Sequence, residues 1–187
     1  MLSAILLAAG VSERMGKDKL ILDFNGKTIL QHSINLLHEL PVFQKILVTT
    51  EARSMQMDLP DDIHAIINHR PDKGKSESIR LGVEAASGTH FLFLQADQPK
   101  LTKSDIVSLL DASVLNQDKI IYPIVNDEPT SPTIFPVKFR TKLLSLSDDT
   151  GGYVIREENK EDCFAVKVSN PLNYIDINTM EDYSSII

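Results

Sequence analysis

Small residues and three cations stand together near the start of the chain, in the segment from Leu7 to Lys19. The segment reads LAAGVSERMGKDK and holds Arg14, Lys17 and Lys19 within six positions. Backbone N–H groups of small residues can approach phosphate oxygens closely, and arginine and lysine side chains can neutralise them. The spacing fits neither the Walker A loop, G-x-x-x-x-G-K-[ST], nor the dinucleotide fingerprint, G-x-G-x-x-G. The segment therefore indicates a phosphate site of another type, with a purely structural loop as the alternative.

A carboxylate follows an apolar run in the middle of the chain. The run FLFLQA is followed by Asp97 and, two residues later, by Pro99. Ligands of a parallel sheet bind outside the carboxyl ends of its strands, so Asp97 is expected where a hard cation bound to phosphates would lie. The alternative is that Asp97 begins a turn and caps the next helix.

The segment from Gly74 to Gly82, GKSESIRLG, places serines between a glycine and a helical pattern. It predicts a glycine hinge, a serine N-cap and the start of a helix, and this capping role alone explains the serines. Lys73 and Lys75 are expected to be solvated loop charges.

Composition and charge exclude several function classes. The 187 residues include 26 acidic and 19 basic side chains, and the net charge of −7 disfavours binding to nucleic acid. The single cysteine, Cys163, excludes an internal disulfide, and the five histidines lack zinc-site spacing. No apolar run suits a membrane span or a usual signal peptide, so a soluble cytoplasmic protein without a membrane partner is expected.

Short apolar runs alternate with helical patterns over the first 125 residues. Continuous apolar runs suit strands that are buried on both faces of a sheet, and five are present: 3–8, 45–49, 63–67, 90–94 and 119–123. Helical patterns cover 28–40, 76–86 and 102–115, the last with Thr102 as N-cap and Asp105 three residues later. This alternation predicts an α/β fold with a single three-layer, doubly wound, mostly parallel sheet.

The pattern changes after about residue 125, where turn-rich stretches separate shorter elements. The expected elements are a short run at 133–135, a helix over 137–146, strands near 163–168 and 174–177, and a last helix from about Thr179. We predict one domain over 1–187, with a core of about 1–125 and an insertion with a closing strand and helix over about 126–187.

The segment at residues 7–19 resembles the signature L-A-A-G-x-S-x-R-M-G-x-x-K of the MobA-like NTP transferase family, in particular its molybdenum cofactor cytidylyltransferases. The resemblance implies a Rossmann-like nucleotidyltransferase fold of the nucleotide-diphospho-sugar transferase type. It also implies that Arg14, Lys19 and Asp97 are catalytic, with Arg14 and Lys19 on the triphosphate. The implied nucleotide-binding residues are Leu7, Ala8, Ala9, Gly10, Ser12, Arg14, Lys19, Ser76, Ser78 and Asp97.

Two later segments carry the same resemblance. GKSESI is similar to the family's G-x-S-x-S-[LI] segment, which implies that Ser76 and Ser78 contact the base and ribose. DINTMED, which begins at Asp176, is similar to the closing segment D-[IV]-[DN]-T-x-E-D and implies a second metal ligand beside Asp97. Both carboxylates are expected at carboxyl ends of strands, and such a pair with substrate phosphates is the usual way to hold Mg²⁺. Helix capping by Asn178 or Thr179 is the alternative.

The resemblance implies a molybdopterin-type acceptor phosphate, bound by the later half of the chain. There the sequence departs from the pattern: TSPTIF stands where G-[HN]-P-x-x-[FW] is common, and DDTGGY where G-D-x-G-A-R is common. Arg156, one helical turn after Gly152, is a candidate for the missing cation. The acceptor-binding candidates are Pro132, Phe135, Asp149, Gly151 and Arg156.

The implied reaction moves a nucleoside monophosphate from a nucleoside triphosphate to a phosphomonoester, with Mg²⁺ as cofactor, pyrophosphate as product and a molybdoenzyme as candidate recipient. The Ala-Ala-Gly form of the first loop favours CTP, since glycine in the second position is typical of guanylyl-transferring members. An anionic acceptor oxygen needs no base, so positioning and electrostatics suffice. Two alternatives stay open: a nucleotidyltransferase for a sugar phosphate or other small phosphate, and a non-catalytic, nucleotide-binding accessory protein that carries the molybdenum cofactor.

Overall fold

A computed structural model describes residues 1–10 and 17–186. The strands in this part of the chain are β1 (Leu2–Ala8), β2 (Asp23–Phe24), β3 (Lys27–Thr28), β4 (Gln44–Thr49), β5 (Ile63–Ile67), β6 (His90–Gln95), β7 (Ile120–Val125), β8 (Glu128–Pro129), β9 (Thr133–Pro136) and β10 (Cys163–Lys167). The α-helices are α1 (Ile29–Glu39), α2 (Glu51–Ser54), α3 (Lys75–Ala85), α4 (Lys103–Leu115), α5 (Arg140–Leu144), α6 (Tyr153–Glu158) and α7 (Met180–Ile186). None of the helices in these residues has the length and hydropathy that crossing a membrane requires.

The main sheet has the strand order β10-β7-β9-β6-β1-β4-β5, with β8 paired to β7. Strands β6, β1, β4 and β5 run parallel, and β10 runs parallel to β7. Strand β9 is antiparallel to both of its neighbours. Strand β8 is antiparallel to β7. The prediction of a mostly parallel sheet is therefore confirmed, with β8 and β9 as the exceptions.

Two apolar cores lie on opposite faces of this sheet. Successive residues of a strand point to opposite faces, and along β1 Ala4 and Leu6 pack in one core while Ile5 packs in the other. Helices α1 and α4 supply the first core, and α3, α5 and α6 supply the second. The predicted three-layer, doubly wound architecture is thereby confirmed.

Local capping signals agree with the structure at some helices and not at others. Thr102 and Asp105 form the predicted capping box of α4. The serine N-cap expected for α3 is wrong, because Gly74 is the N-cap and Ser76 lies inside the helix. The hydroxyl of Ser76 donates to the carbonyl of Asp148 at 2.6 Å instead.

The later half follows the prediction less closely. The helix expected over 137–146 is a 3₁₀ turn, Val137–Phe139, followed by the short helix α5. The strand expected at 174–177 is wrong. A 3₁₀ turn covers Pro171–Tyr174, with the side chain of Asn170 accepting from Leu172 N at 3.3 Å, and Ile177 N donates to Asp97 O rather than to a strand. The division of the chain near residue 125 stays a prediction.

Gly74 is required by backbone geometry at the start of α3. Its φ of 79° and ψ of −168° lie in a region that only glycine adopts readily. A Cβ there would lie 2.7 Å from Asp148 O and 2.8 Å from Asp149 Cα. Gly74 thus allows the 148–149 backbone to lie directly against the start of this helix.

Gly74→Ala is expected to destabilise the protein by about 2 kcal/mol or more, since it adds backbone strain and a contact with main-chain atoms that cannot move freely. The measurement is the free energy of unfolding in urea. Gly10→Ala is the control, because a Cβ at Gly10 meets nothing within 4 Å in the described part of the chain. Equal stability of the two variants would contradict this interpretation.

Candidate active site

Lys19 and Asp97 form an ion pair at the carboxyl end of the sheet. Lys19 Nζ donates to Asp97 Oδ2 at 2.7 Å, to the carbonyl of Ile177 at 2.7 Å and to Asn178 Oδ1 at 3.3 Å. The two charged side chains are only 17% and 16% exposed. Asp97 follows β6 as expected, and its alternative role as a helix cap is wrong because Thr102 caps α4.

Asp176 lies close to this ion pair although its segment is not a strand. Ile177 N donates to Asp97 O at 3.0 Å and joins the two segments. Burial and the negative charge of Asp97 raise the pKa of Asp176 to about 6, against the opposing effects of Lys75, Lys19 and the amide of Gln98. The two carboxylates, which are far apart in the sequence, therefore lie close together in one partly buried site.

Each of these aspartates has a buried oxygen without a hydrogen-bond partner among the described residues, Asp97 Oδ1 and Asp176 Oδ1. Buried polar atoms are normally satisfied, so such a pair suits an additional partner. Carboxylate oxygens are the ligands that Mg²⁺ prefers, and the donor set fits such a cation. No cluster of three or more acidic, histidine or cysteine side chains suited to a metal occurs in 1–10 and 17–186, so substrate and water oxygens would have to complete the coordination shell.

Arg53 connects the two ends of the first segment, and sequence reasoning missed it. It is 4% exposed and donates to the carbonyls of Ala8 at 2.6 Å and Gly10 at 2.9 Å. It also makes a bidentate pair with Asp18, at 2.7 and 2.8 Å. A buried guanidinium requires such pairing, and here the pairing fixes the chain on both sides of residues 11–16. No motif marks Arg53 in the sequence.

Four other predicted residues of the first segment, at the end of β1 and just after it, differ in their exposure to solvent. Leu7 is half-buried, Ala8 and Ala9 are buried, and Gly10 is exposed. Arg14 and Ser12, both predicted site residues, lie outside the described residues, so their roles stay predictions.

The two predicted serines of α3 face protein groups. Ser76 is 5% and Ser78 4% exposed. The hydroxyl of Ser78 accepts from Asn68 Nδ2 at 3.1 Å, while that of Ser76 donates to the 148–149 segment. Contacts of both serines with a nucleotide stay a prediction.

A cavity of about 250 Å³ opens beside these groups and is called the central cavity below. Its walls come from the ends of β1 and β6, the start of α3, the 129–135 segment, the 151–156 segment and Asp176. Among the acceptor candidates, Phe135, Gly151 and Arg156 line it. Pro132 is buried and Asp149 accepts from Lys75 N at 3.1 Å; neither lines the cavity. Acceptor binding by these residues stays a prediction.

Lys75 corrects an expectation, since it is not a solvated loop charge. It begins α3, lines the central cavity and donates from Nζ to Gln95 Oε1 at 2.7 Å. Burial lowers the pKa of Lys75, while the charges of Asp97, Asp176 and Asp149 oppose this shift. Lys73, two residues earlier, is exposed as expected.

Comparison with known proteins agrees with the resemblance at the first segment. The family model of the MobA-like NTP transferase domain matches residues 4–163. A probable molybdenum cofactor guanylyltransferase from Rhodopirellula baltica is 35% identical over 117 residues, which span 59% of this chain and 55% of that protein. A molybdenum cofactor cytidylyltransferase from Escherichia coli is 26% identical over 97% of this chain and 93% of its own length.

Solved structures share the fold over the whole chain. A nucleotidyl transferase from Methanothermobacter superimposes with a TM-score of 0.81 at 23% identity, covering 100% of this chain and 95% of its own. A Mycobacterium tuberculosis protein solved in complex with manganese gives a TM-score of 0.80 at 19% identity, covering 99% and 97%. The predicted Rossmann-like nucleotidyltransferase fold is confirmed.

The raised pKa of Asp176 predicts a pH dependence of stability in metal-free buffer. Its folded pKa of about 6 exceeds the unfolded value near 4, so between these pH values the folded state holds the extra proton. The contribution of Asp176 to the free energy of unfolding is therefore fully present below about pH 4 and is lost as the pH rises to about 6. Because asparagine does not ionise, the free energy of unfolding of Asp176→Asn is expected to rise by about 2–3 kcal/mol relative to that of wild type over this pH range.

The measurement is urea unfolding from pH 4 to 7 in the presence of a chelator. Asp111→Asn, at an exposed position of α4, is the control and should follow wild type. If the free energies of unfolding of Asp176→Asn and wild type differ by a constant amount across this pH range, the pKa of Asp176 is not raised.

Proposed function

Because the chain belongs to the MobA-like NTP transferase family, we propose that this nucleotidyltransferase moves a nucleoside monophosphate to the phosphate of a molybdopterin-type cofactor and releases pyrophosphate. The observation that carries the proposal is the convergence of Lys19, Asp97 and Asp176 at the carboxyl end of the sheet, beside the central cavity. The names of the Rhodopirellula and Escherichia coli relatives support the molybdenum cofactor as acceptor.

The chemistry asks the protein to bring two anions together. An oxygen of the acceptor phosphate attacks the α-phosphorus of the nucleotide, a new P–O–P bond forms, and pyrophosphate leaves with the electrons of the broken P–O bond. A phosphomonoester carries a charged oxygen near neutral pH, so no side chain has to remove a proton. The rate then depends on alignment and on cations that stabilise the charge of the leaving pyrophosphate.

Asp97 and Asp176 would hold a divalent cation, Mg²⁺ in this proposal. Their buried, unpartnered oxygens support this role, and so does the manganese complex of the Mycobacterium tuberculosis relative, which has the same fold. When bound, such a cation neutralises phosphate charge and orients phosphate oxygens. Lys19 and Arg14 hold the triphosphate, and the Leu7–Gly10 backbone, which Arg53 fixes, forms the wall against the nucleoside.

The favoured donor is CTP. The Ala8-Ala9-Gly10 form of the loop supports it, as does the Escherichia coli cytidylyltransferase, which matches nearly the whole chain. GTP is the second candidate. It is favoured by the higher identity of the Rhodopirellula guanylyltransferase over its shorter match, and by probable guanylyltransferases from Bacillus cereus that match 97% of this chain at 22–23% identity. The acceptor binds in the central cavity at Phe135, Gly151 and Arg156, with Pro132 and Asp149 supporting that wall, and a molybdoenzyme would receive the product.

The test is pyrophosphate release from CTP, GTP, ATP and UTP, each with molybdopterin or a sugar phosphate as acceptor and with or without Mg²⁺. We expect release with CTP, molybdopterin and Mg²⁺ together. Asp97→Asn is expected to lower the rate by at least about 100-fold, because an essential charge in a desolvated site is removed. Asp111→Asn should keep the wild-type rate.

The same assay separates the alternatives. Turnover with sugar phosphate alone would make the chain a transferase for another acceptor. Nucleotide binding without turnover on any acceptor would favour the accessory-protein alternative. Undiminished activity of Asp97→Asn would refute the role of this carboxylate.

A further inference from the structure

Lys75 has no role in the proposed reaction, and its position is unfavourable for a purely structural lysine. It is the first residue of α3, where a positive charge opposes the helix dipole. Burial lowers the pKa of Lys75, so the charged form is held there at a cost in free energy. Among residues 1–10 and 17–186 its ammonium group donates one hydrogen bond, to Gln95. A lysine that served stability alone would pair directly with a carboxylate or extend into solvent.

The surrounding contacts fix the lysine against the wall of the central cavity. A Cβ added at Gly151 would lie 3.4 Å from Lys75 Cδ, so the aliphatic part of the side chain passes close to this glycine. Gln95 is oriented by its own bond, since its Nε2 donates to Ser131 Oγ while its Oε1 accepts from Lys75. The backbone N–H of Lys75 donates to Asp149 Oδ1 at 3.1 Å. Gln95 of the sheet thus holds the ammonium group, while Gly151 and Asp149 of the later half contact the aliphatic part and the backbone of Lys75.

The two cations of the central cavity have different surroundings. Lys75 and Arg156 are the cations that line it within the described part of the chain. Arg156 lies over the ring of Tyr122, 4.9 Å from its centroid, and also lines a second cavity with Lys160. Lys75, by contrast, donates to Gln95, two residues before Asp97, and lines the cavity together with Asp176. The charges of both aspartates act on its ammonium group. Of the two cations, Lys75 is therefore the one adjacent to the proposed metal carboxylates.

We infer that Lys75 binds the attacking phosphate of the acceptor, an inference that rests on the proposed function. A phosphate dianion at Lys75 lies beside Asp97 and Asp176, where its oxygen can form the new bond to the α-phosphorus as pyrophosphate leaves. The body of the acceptor then extends toward Tyr153 and Arg156 along the cavity. Lys75 would donate a charge-assisted hydrogen bond to the acceptor phosphate, which binds alongside the nucleotide and not in its place.

The test compares wild type with Lys75→Met, Lys75→Arg and Lys73→Met in the pyrophosphate assay. In Lys75→Met we expect the KM for the phosphorylated acceptor to rise about 10- to 100-fold, while the KM for the nucleotide changes less than about threefold. Lys75→Arg should recover most of the loss because it keeps the charge. Lys73→Met, which removes an exposed lysine two residues away, should match wild type. An unchanged acceptor KM, or an equal rise in both KM values, would overturn the inference.

A binding measurement keeps this test separate from the proposed function. Phenyl phosphate is titrated into protein that is loaded with Mg²⁺ and a non-hydrolysable CTP analogue, so no turnover is needed. If wild type releases no pyrophosphate with molybdopterin, the proposed acceptor is wrong, and phenyl phosphate still decides the role of Lys75. Binding that weakens at least about tenfold in Lys75→Met supports the inference. Equal affinity in both proteins, or no affinity in wild type, contradicts it.

Discussion

Asp97 and Asp176 repel each other in a position that water reaches poorly, and the other groups at this end of the sheet offset that repulsion. Burial disfavours the charged form of Asp176, and the negative charge of Asp97 adds to this effect, which is why the pKa of Asp176 rises to about 6. Lys19 compensates through its direct pair with Asp97, and Lys75 compensates at longer range. A divalent cation would compensate more fully and would displace the proton of Asp176 below about pH 6. The folded chain therefore carries negative charge at this site that the described cations offset only in part and that a bound divalent cation would neutralise.

This arrangement depends on contacts between distant parts of the sequence. Lys19 bonds to residues 78 and 158 positions away, at Asp97 and Ile177. Arg53 adds a second long-range connection, since it ties the end of β1 to Asp18. Pairs of this kind are weak in isolation and become effective when a rigid sheet positions them. The parallel strands β1 and β6, which are adjacent in the sheet, supply that rigidity.

The sequence predicts the core of the fold well because burial on both faces leaves a direct signature. Strands β1 and β6 are continuous apolar runs, and the capping box of α4 involves residues only three positions apart. The 174–177 segment shows the limit of such reasoning. The apolar residues around Asp176 suit a strand. In the structure, however, a 3₁₀ turn ends at Tyr174, and Ile177 N donates to Asp97 O and not to a neighbouring strand. Asp176 nevertheless lies near Asp97, as the resemblance implies, because a motif carries tertiary information that local patterns lack. Its role as a metal ligand stays a prediction.

Two charged residues show what the sequence could not predict. Arg53 follows a strand in a polar segment, and Lys75 lies in a stretch of lysines, glycine and serines, so both resemble solvated surface charges. Arg53 is buried by contacts with Ala8, Gly10 and Asp18, which come earlier in the sequence. Lys75 is buried by contacts with Gln95 and Gly151, which come later. The cavity that Lys75 lines is built by residues 129–135 and 151–156, where the sequence departs most from the family pattern. Local patterns cannot report such contacts.

The most direct test of a magnesium-assisted nucleotide site at Asp97 and Asp176 is a thermal-shift titration with CTP and GTP, with and without Mg²⁺, in wild type and Asp176→Asn. At a nucleotide concentration near 100 times Kd, binding adds about 2.7 kcal/mol, a rise in Tm of about 5–10 °C for a chain of this size. We expect this rise to require Mg²⁺ in wild type and to be largely lost in Asp176→Asn. An equal rise without Mg²⁺, or an undiminished Mg²⁺-dependent rise in the variant, would contradict it.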